Sequence, residues 1–244
     1  MEKINIRGVL FDHVTLDEAT ERAMELAGRT EGETAVIHTP NSEIVQLCIE
    51  KPEFYEVINS ADIIVPDGSG VVLASKILKT PLTKGKVAGV ELGKRIVEES
   101  AKAGLGVFFL GGKPGVAETA ANNLKGEFPS LIVSGTADGY FKDTDAMIEK
   151  INQSGAAVLF VCLGVPKQEL WMKENRGKLA VKLAAGLGGS LDVYSGNVKR
   201  APKIFIRLGL EWLYRLLCEP QRIGRMMKLP KFVLGTIFSK KEKA

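Results

Sequence analysis

Apolar and polar positions alternate along this chain in blocks of two kinds. Short runs of apolar residues lie at 34–39, 62–66, 106–110, 131–135, 157–163 and 181–185. Longer stretches between them predict helices at 69–78, 90–103, 116–125, 143–153 and 168–175. The first kind suits strands buried on both faces, the second helices laid over a sheet. Residues 4–11 predict an extended, hairpin-like opening. Thr15-Leu16-Asp17-Glu18 fits a capping box that starts a helix running to about Ala27. Residues 40–60 predict helical turns interrupted at Pro52. The fold class that follows is α/β: a Rossmann-like, mostly parallel sheet with helices on both faces over residues 1–195. Residues 196–244 form a C-terminal basic helical appendage.

Charge sharpens that division. Of 33 Lys/Arg and 29 Asp/Glu, residues 195–244 hold 12 and 3, a net of +9. The preceding residues net −5. Such a split predicts that the tail meets an anion. Between Lys199, Arg200, Lys203, Arg207, Arg215, Arg222, Arg225, Lys228 and Lys231 lie Ile204, Phe205, Leu208, Trp212, Leu213, Leu216 and Leu217. An unbroken helix would bring Arg200, Arg207, Arg215 and Arg222 near one face, and Pro220 predicts a break into two helices. Cations alternating with bulky aliphatics suit an anionic membrane surface. The charge excess favours this over a terminal helix packed on its own domain. Nucleic acid is not expected, since no DNA or RNA motif is present.

No stretch approaches the roughly 18 apolar residues of a membrane span, and residues 1–7 lack a signal-peptide core. Cys48, Cys162 and Cys218 are scattered, which argues against a disulfide framework or a structural zinc. The expectation is a cytoplasmic protein, peripheral on the inner face of the plasma membrane. The oligomeric state stays open, a homo-oligomer included.

In parallel sheets, ligands bind at the carboxyl ends of the strands. Those ends carry Thr39 and Asn41, then Asp67, Gly111 and Gly112, Gly164 and Gln168, and Gly186 to Gly189 with Asp192. Gly111-Gly112-Lys113-Pro114-Gly115 joins a strand to a helix and suits either a phosphate contact or a plain tight turn. Asp67, within Val65-Pro66-Asp67-Gly68, suits a held general base or ordinary turn chemistry. Asp143-Thr144-Asp145 reads as a helix N-terminus, with Asp143 as cap, and no metal is assigned to it. His13 and His38 lack partners at ligand spacing and read as structural.

Taken together, several motifs resemble the TagA/WecG/CpsF glycosyltransferases. They are Thr39-Pro40-Asn41, Val65-Pro66-Asp67-Gly68, Lys86-Val87-Ala88-Gly89-Val90-Glu91, Phe109-Leu110-Gly111-Gly112 and Leu163-Gly164-Val165-Pro166-Lys167-Gln168-Glu169. Gly188-Gly189 to Asp192, Arg200-Ala201-Pro202 and Gly209-Leu210-Glu211-Trp212-Leu213-Tyr214-Arg215 complete the set. The resemblance covers nearly the whole chain. It implies metal-independent, cofactor-free, inverting transfer of N-acetylmannosamine from a UDP-sugar donor. The acceptor would be the C4 hydroxyl of N-acetylglucosamine on undecaprenyl diphosphate, in teichoic acid linkage-unit synthesis. It also implies Asp67 as base, with Thr39, Asn41 and Gln168 in the pocket and Arg215, Arg222 and Arg225 completing the site. Lys86, Gly111, Gly112, Tyr140, Gly188 and Asp192 would contact substrate. The family often carries arginine at or beside the position of Lys86; lysine keeps the charge but loses the bidentate fork. Open alternatives are another donor (a UDP-N-acetylmannosaminuronate or a glucosyl donor), or a non-catalytic nucleotide-binding module. A dinucleotide oxidoreductase is disfavoured by the missing G-x-G-x-x-G.

Overall fold

A computed structural model describes residues 2–218 and 223–241, with backbone alone at 203, 215, 225, 226, 240 and 241. β1 (Lys3–Ile6) and β2 (Val9–Asp12) pair antiparallel as the opening hairpin. The other strands are β3 (Ala35–His38), β4 (Ile63–Ile64), β5 (Gly106–Gly111), β6 (Ile132–Ala137), β7 (Val158–Cys162) and β8 (Leu183–Gly186). They form one parallel six-stranded sheet in the order β4-β3-β8-β7-β5-β6.

The body helices are α1 (Leu16–Ala27), α2 (Ser42–Glu50), α3 (Glu53–Asn59), α4 (Ser69–Ile77) and α5 (Gly89–Ala103). They continue as α6 (Val116–Glu127), α7 (Thr144–Gln153), α8 (Lys167–Asn175) and α9 (Ser190–Tyr194). Local chemistry sets their ends. The Glu18 N–H donates to Thr15 Oγ1 at 3.2 Å and the Thr15 N–H to Glu18 Oε2 at 2.7 Å, so the predicted capping box starts α1. Pro52 separates α2 from α3. Asp143 accepts the Ala146 N–H at 3.0 Å and caps α7, while Asp145 pairs with Lys178 at 2.9 Å.

Alternate residues of each central strand enter opposite layers. In β5, Phe108 and Leu110 join the core under α2, α3, α4, α7 and α8, while Val107 and Phe109 join the core under α1, α5, α6 and α9. This two-sided burial explains why the strands read as continuous apolar runs. β3 and β8 are neighbours, yet β3 leads into α2 on one face and β8 into α9 on the other. Diverging connections open a crevice at their carboxyl ends.

The tail differs from the expected two helices. It comprises α10 (Lys203–Arg207), α11 (Glu211–Cys218), α12 (Ile223–Met226) and α13 (Lys228–Lys241). Gly209, at φ +72°, turns the chain between α10 and α11, a conformation that costs a residue with a Cβ far more. The shared face expected of Arg200, Arg207 and Arg215 is therefore not formed: Arg200 precedes α10, Arg207 ends it and Arg215 lies on α11. Arg222 and Pro220 lie outside the described residues. α13 packs on α2 and α4, with Phe232 and Thr236 fully buried. Lys231 pairs with Glu50 at 2.6 Å, and an Arg7 guanidinium N–H donates to the Gly235 carbonyl at 3.0 Å. Part of the appendage is thus body core. Ile204, Leu208, Leu217, Ile223 and Met227 nevertheless stay exposed. Among the described residues, no helix is long and apolar enough to cross a membrane.

Candidate active site

Three loops meet at the crevice because their backbones are tied together. The Val65 N–H donates to the His38 carbonyl at 3.0 Å and the Asp67 N–H to the Pro40 carbonyl at 3.2 Å. The exit of β4 is thereby held against the exit of β3. The Val87 N–H donates to the Pro66 carbonyl at 2.9 Å, bringing the Lys86 segment alongside. A Cβ on Gly89 would come within 3.1 Å of Thr39 Oγ1, so the start of α5 abuts Thr39.

Thr39 is almost fully buried, and its hydroxyl donates to the Gly186 carbonyl at 3.0 Å, stitching β3 to β8. Asn41 Oδ1 accepts the N–H groups of Glu43 and Ile44 at 2.9 and 3.2 Å, capping α2. With the oxygen engaged in the cap, its NH₂ is the group left to donate. Gln168 is 2% exposed; its Oε1 accepts the Gly188 N–H at 3.1 Å and its Nε2 donates to Glu169 Oε1 at 2.8 Å.

Thr39, Asn41, Asp67, Gln168 and Gly188 all line one cleft of about 210 Å³. Lys86, Gly111, Gly112, Tyr140 and Asp192 lie outside its lining. Lys86 is half-buried at the margin, in an ion pair with Glu211, which does line the cleft. Gly111 and Gly112 are outside the lining, and the Gly112 N–H donates to the Cys162 carbonyl at 3.2 Å. A Cβ at Gly111 would stand 2.2 Å from that carbonyl oxygen, so close packing explains the glycine. Tyr140 is 66% exposed and away from the cleft. Asp192 lies in the first turn of α9, also outside the lining. Arg222 and the side chains of Arg215 and Arg225 fall outside the described residues.

The cleft also contains residues without an assigned role in the sequence analysis. Ser69 donates its hydroxyl to the Gly209 carbonyl at 2.7 Å, tying α4 to the tail. Arg200 forms an ion pair with Glu91 of α5, and Glu211, Trp212 and Leu229 form the tail side of the rim. The signal existed for three of them: Arg200, Glu211 and Trp212 sit within motifs that carry the family resemblance.

Burial dominates the electrostatics beneath the cleft. It drives His38 down to about 4 and its ring stays neutral, with the Val57 carbonyl as backbone partner. It pushes the Glu169 carboxyl up to about 7. Cys48 and Cys162 are pushed up to about 12, again by burial, while Cys218 is exposed. These buried thiols are inert as nucleophiles. His13 bridges Glu2 and Thr83 at 3.1 and 2.9 Å and is structural. The arrangement offers the Asp67 carboxylate beside those of Glu43 and Glu211, buried polar groups on the floor and cations at the margin. It can bind a polar, anionic ligand and take a proton from it.

A sequence model of the Glycosyl transferase WecG/TagA/CpsF family matches residues 4–244. Among similar proteins is the N-acetylglucosaminyldiphosphoundecaprenol N-acetyl-beta-D-mannosaminyltransferase of Bacillus spizizenii, 41% identical over 203 residues, 83% of this chain and 79% of the relative. The protein of the same name from Bacillus subtilis is 36% identical over 209 residues, 86% of this chain and 81% of the relative.

Proposed function

We propose the following activity for a chain that belongs to the WecG/TagA/CpsF family of glycosyl transferases: transfer of N-acetylmannosamine from its UDP donor to N-acetylglucosamine on undecaprenyl diphosphate. The observation that carries it is the convergence of Asp67 with Thr39, Asn41 and Gln168 on one crevice. Both relatives above bear the name of that activity.

In this reading the C4 hydroxyl of the acceptor attacks the anomeric carbon as Asp67 takes its proton. The new glycosidic bond forms as the bond to UDP breaks, and a single displacement inverts the anomeric centre. The diphosphate gains negative charge, which cationic side chains stabilise without a metal. Lys86 and Arg200 stand at the margin, and Arg215, Arg222 and Arg225 are the proposed tail contribution. The floor groups Thr39, Asn41 and Gln168 orient the sugar and diphosphate. The Gly112 amide is already engaged, so the Gly111-Gly112 turn has no part in this scheme.

The tail doubles as the membrane contact, on the inner face where the lipid-linked acceptor presents its sugar. Supporting this, Ile204, Leu208, Leu217, Ile223 and Met227 are exposed in a strongly basic segment. The test is a panel of UDP-sugars with an undecaprenyl-type acceptor in anionic vesicles. UDP-N-acetylmannosamine is expected to give product with free UDP released one for one. Product from only a uronate or glucosyl donor overturns the donor assignment; UDP binding without transfer reduces the protein to a nucleotide-binding module.

A further inference from the structure

We propose that Glu169 is a positioning residue that acts through Gln168 to fix the floor of the cleft. The proposal rests on the reading of the cleft as a transfer site.

Glu169 lies in the first turn of α8, 1% exposed, and among the described residues no cation is bonded to its carboxylate. Its Oε2 has no hydrogen-bond partner among the described residues. Burying a carboxyl costs stability unless other groups offset it, so packing alone does not account for an acid here. Its bond to a described side chain is on the cleft floor: Oε1 accepts from Gln168 Nε2 at 2.8 Å. The opposite end of the same amide accepts the Gly188 N–H at 3.1 Å.

A glutamine amide has two ends of nearly equal shape and opposite chemistry. The Gly188 N–H is an obligate donor and selects the oxygen. Glu169 Oε1 accepts and selects the nitrogen. With both in place the amide has one orientation, and the turn after β8 is fixed with it. One Nε2 hydrogen and one lone pair of Oε1 remain for a ligand, suited to an oxygen of the diphosphate or a sugar hydroxyl. Without Glu169 the NH₂ loses its anchor, and the side chain can rotate away from both Gly188 and the ligand. The raised carboxyl agrees with a group kept for geometry and not for an ion pair.

The test is a double-mutant cycle on kcat/KM of the full chain, joined to hydrogen exchange at the Gly188 amide. Glu169→Leu is expected to lower kcat/KM about tenfold and speed Gly188 exchange about tenfold, the loss of one buried hydrogen bond. Glu169→Gln is expected to stay within about twofold on both, because its carbonyl can accept the same bond. In a Gln168→Ala background, Glu169→Leu should change neither readout further. If Glu169→Leu fails to fold, Glu169→Met enters the same cycle. An additive cycle, or unchanged kcat/KM in Glu169→Leu, overturns the proposal, as does Glu169→Gln behaving like Glu169→Leu. Failure of the donor assignment shows in the unsubstituted protein, and the cycle is then run on whichever donor that protein uses.

Discussion

At the floor of the cleft, Thr39 and Gln168 are almost fully buried and hydrogen-bond to Gly186 and Gly188. At its roof, Glu211 and Arg200 reach Lys86 and Glu91 through ion pairs whose side chains are between 22% and 41% exposed. The floor bonds have no competitor, because breaking one leaves a buried group unpaired. The roof pairs compete with water and salt at every moment. A preformed floor under a roof that can exchange partners suits the proposed admission and enclosure of a UDP-sugar donor.

The strongest way to break this comparison is at the rim between the two. Asp67→Asn should lower kcat by about a thousandfold if Asp67 is the base, while UDP affinity and circular dichroism stay unchanged. More than a tenth of the normal rate would remove Asp67 from that role. The next largest effect concerns α13, the part of the tail that behaves as floor. Phe232 is fully buried, and Phe232→Ala should cost about 3–5 kcal/mol in a urea melt. A loss under about 1 kcal/mol would return α13 to the roof.

Two buried groups under the floor have opposing pH dependence. Glu169 rises from 4.5 to about 7, so its contribution is complete below about 4.5 and is lost as pH rises through 7. His38 falls from 6.5 to about 4, so its contribution is complete above 6.5 and is lost as pH falls through 4. Glu43 and Cys48 of α2 face Glu169, and Arg176 faces His38. Between pH 4.5 and 6.5 the two slopes oppose each other. Glu169→Gln leaves His38 alone, so stability should climb by about 3 kcal/mol from pH 4 to 6.5. Urea melts across that range check this, and parallel curves for the two proteins would contradict it. The smallest effect is at the roof. Glu211→Gln should leave stability within about 0.5 kcal/mol and raise UDP affinity about twofold by freeing Lys86, whereas Lys86→Met should weaken it. Calorimetric titration separates the two.

The sheet and most body helices were legible because each is specified locally. Continuous apolar runs mark strands buried on two faces, and Thr15, Pro52 and Asp143 mark helix ends by their own side chains or rings. The strand-end rule placed Thr39, Asn41, Asp67, Gln168 and Gly188 together correctly. It also suggested Gly111 and Gly112, whose glycines answer to the Cys162 carbonyl. What escaped was non-local. Nothing near Lys86 announces Glu211, 125 positions away, and nothing near Phe232 shows that α2 and α4 will cover it. Charge counting marked the tail as one basic unit, while Gly209 and the burial of α13 divide it into parts with different loyalties.

The three cysteines carry a practical consequence. Cys48 and Cys162 are buried and unreactive, whereas Cys218 is exposed at the end of α11. Of the three thiols, one is therefore exposed, and it lies on the tail. An environment-sensitive dye attached there by maleimide chemistry would test the proposed membrane contact when anionic vesicles are added, without any engineered substitution.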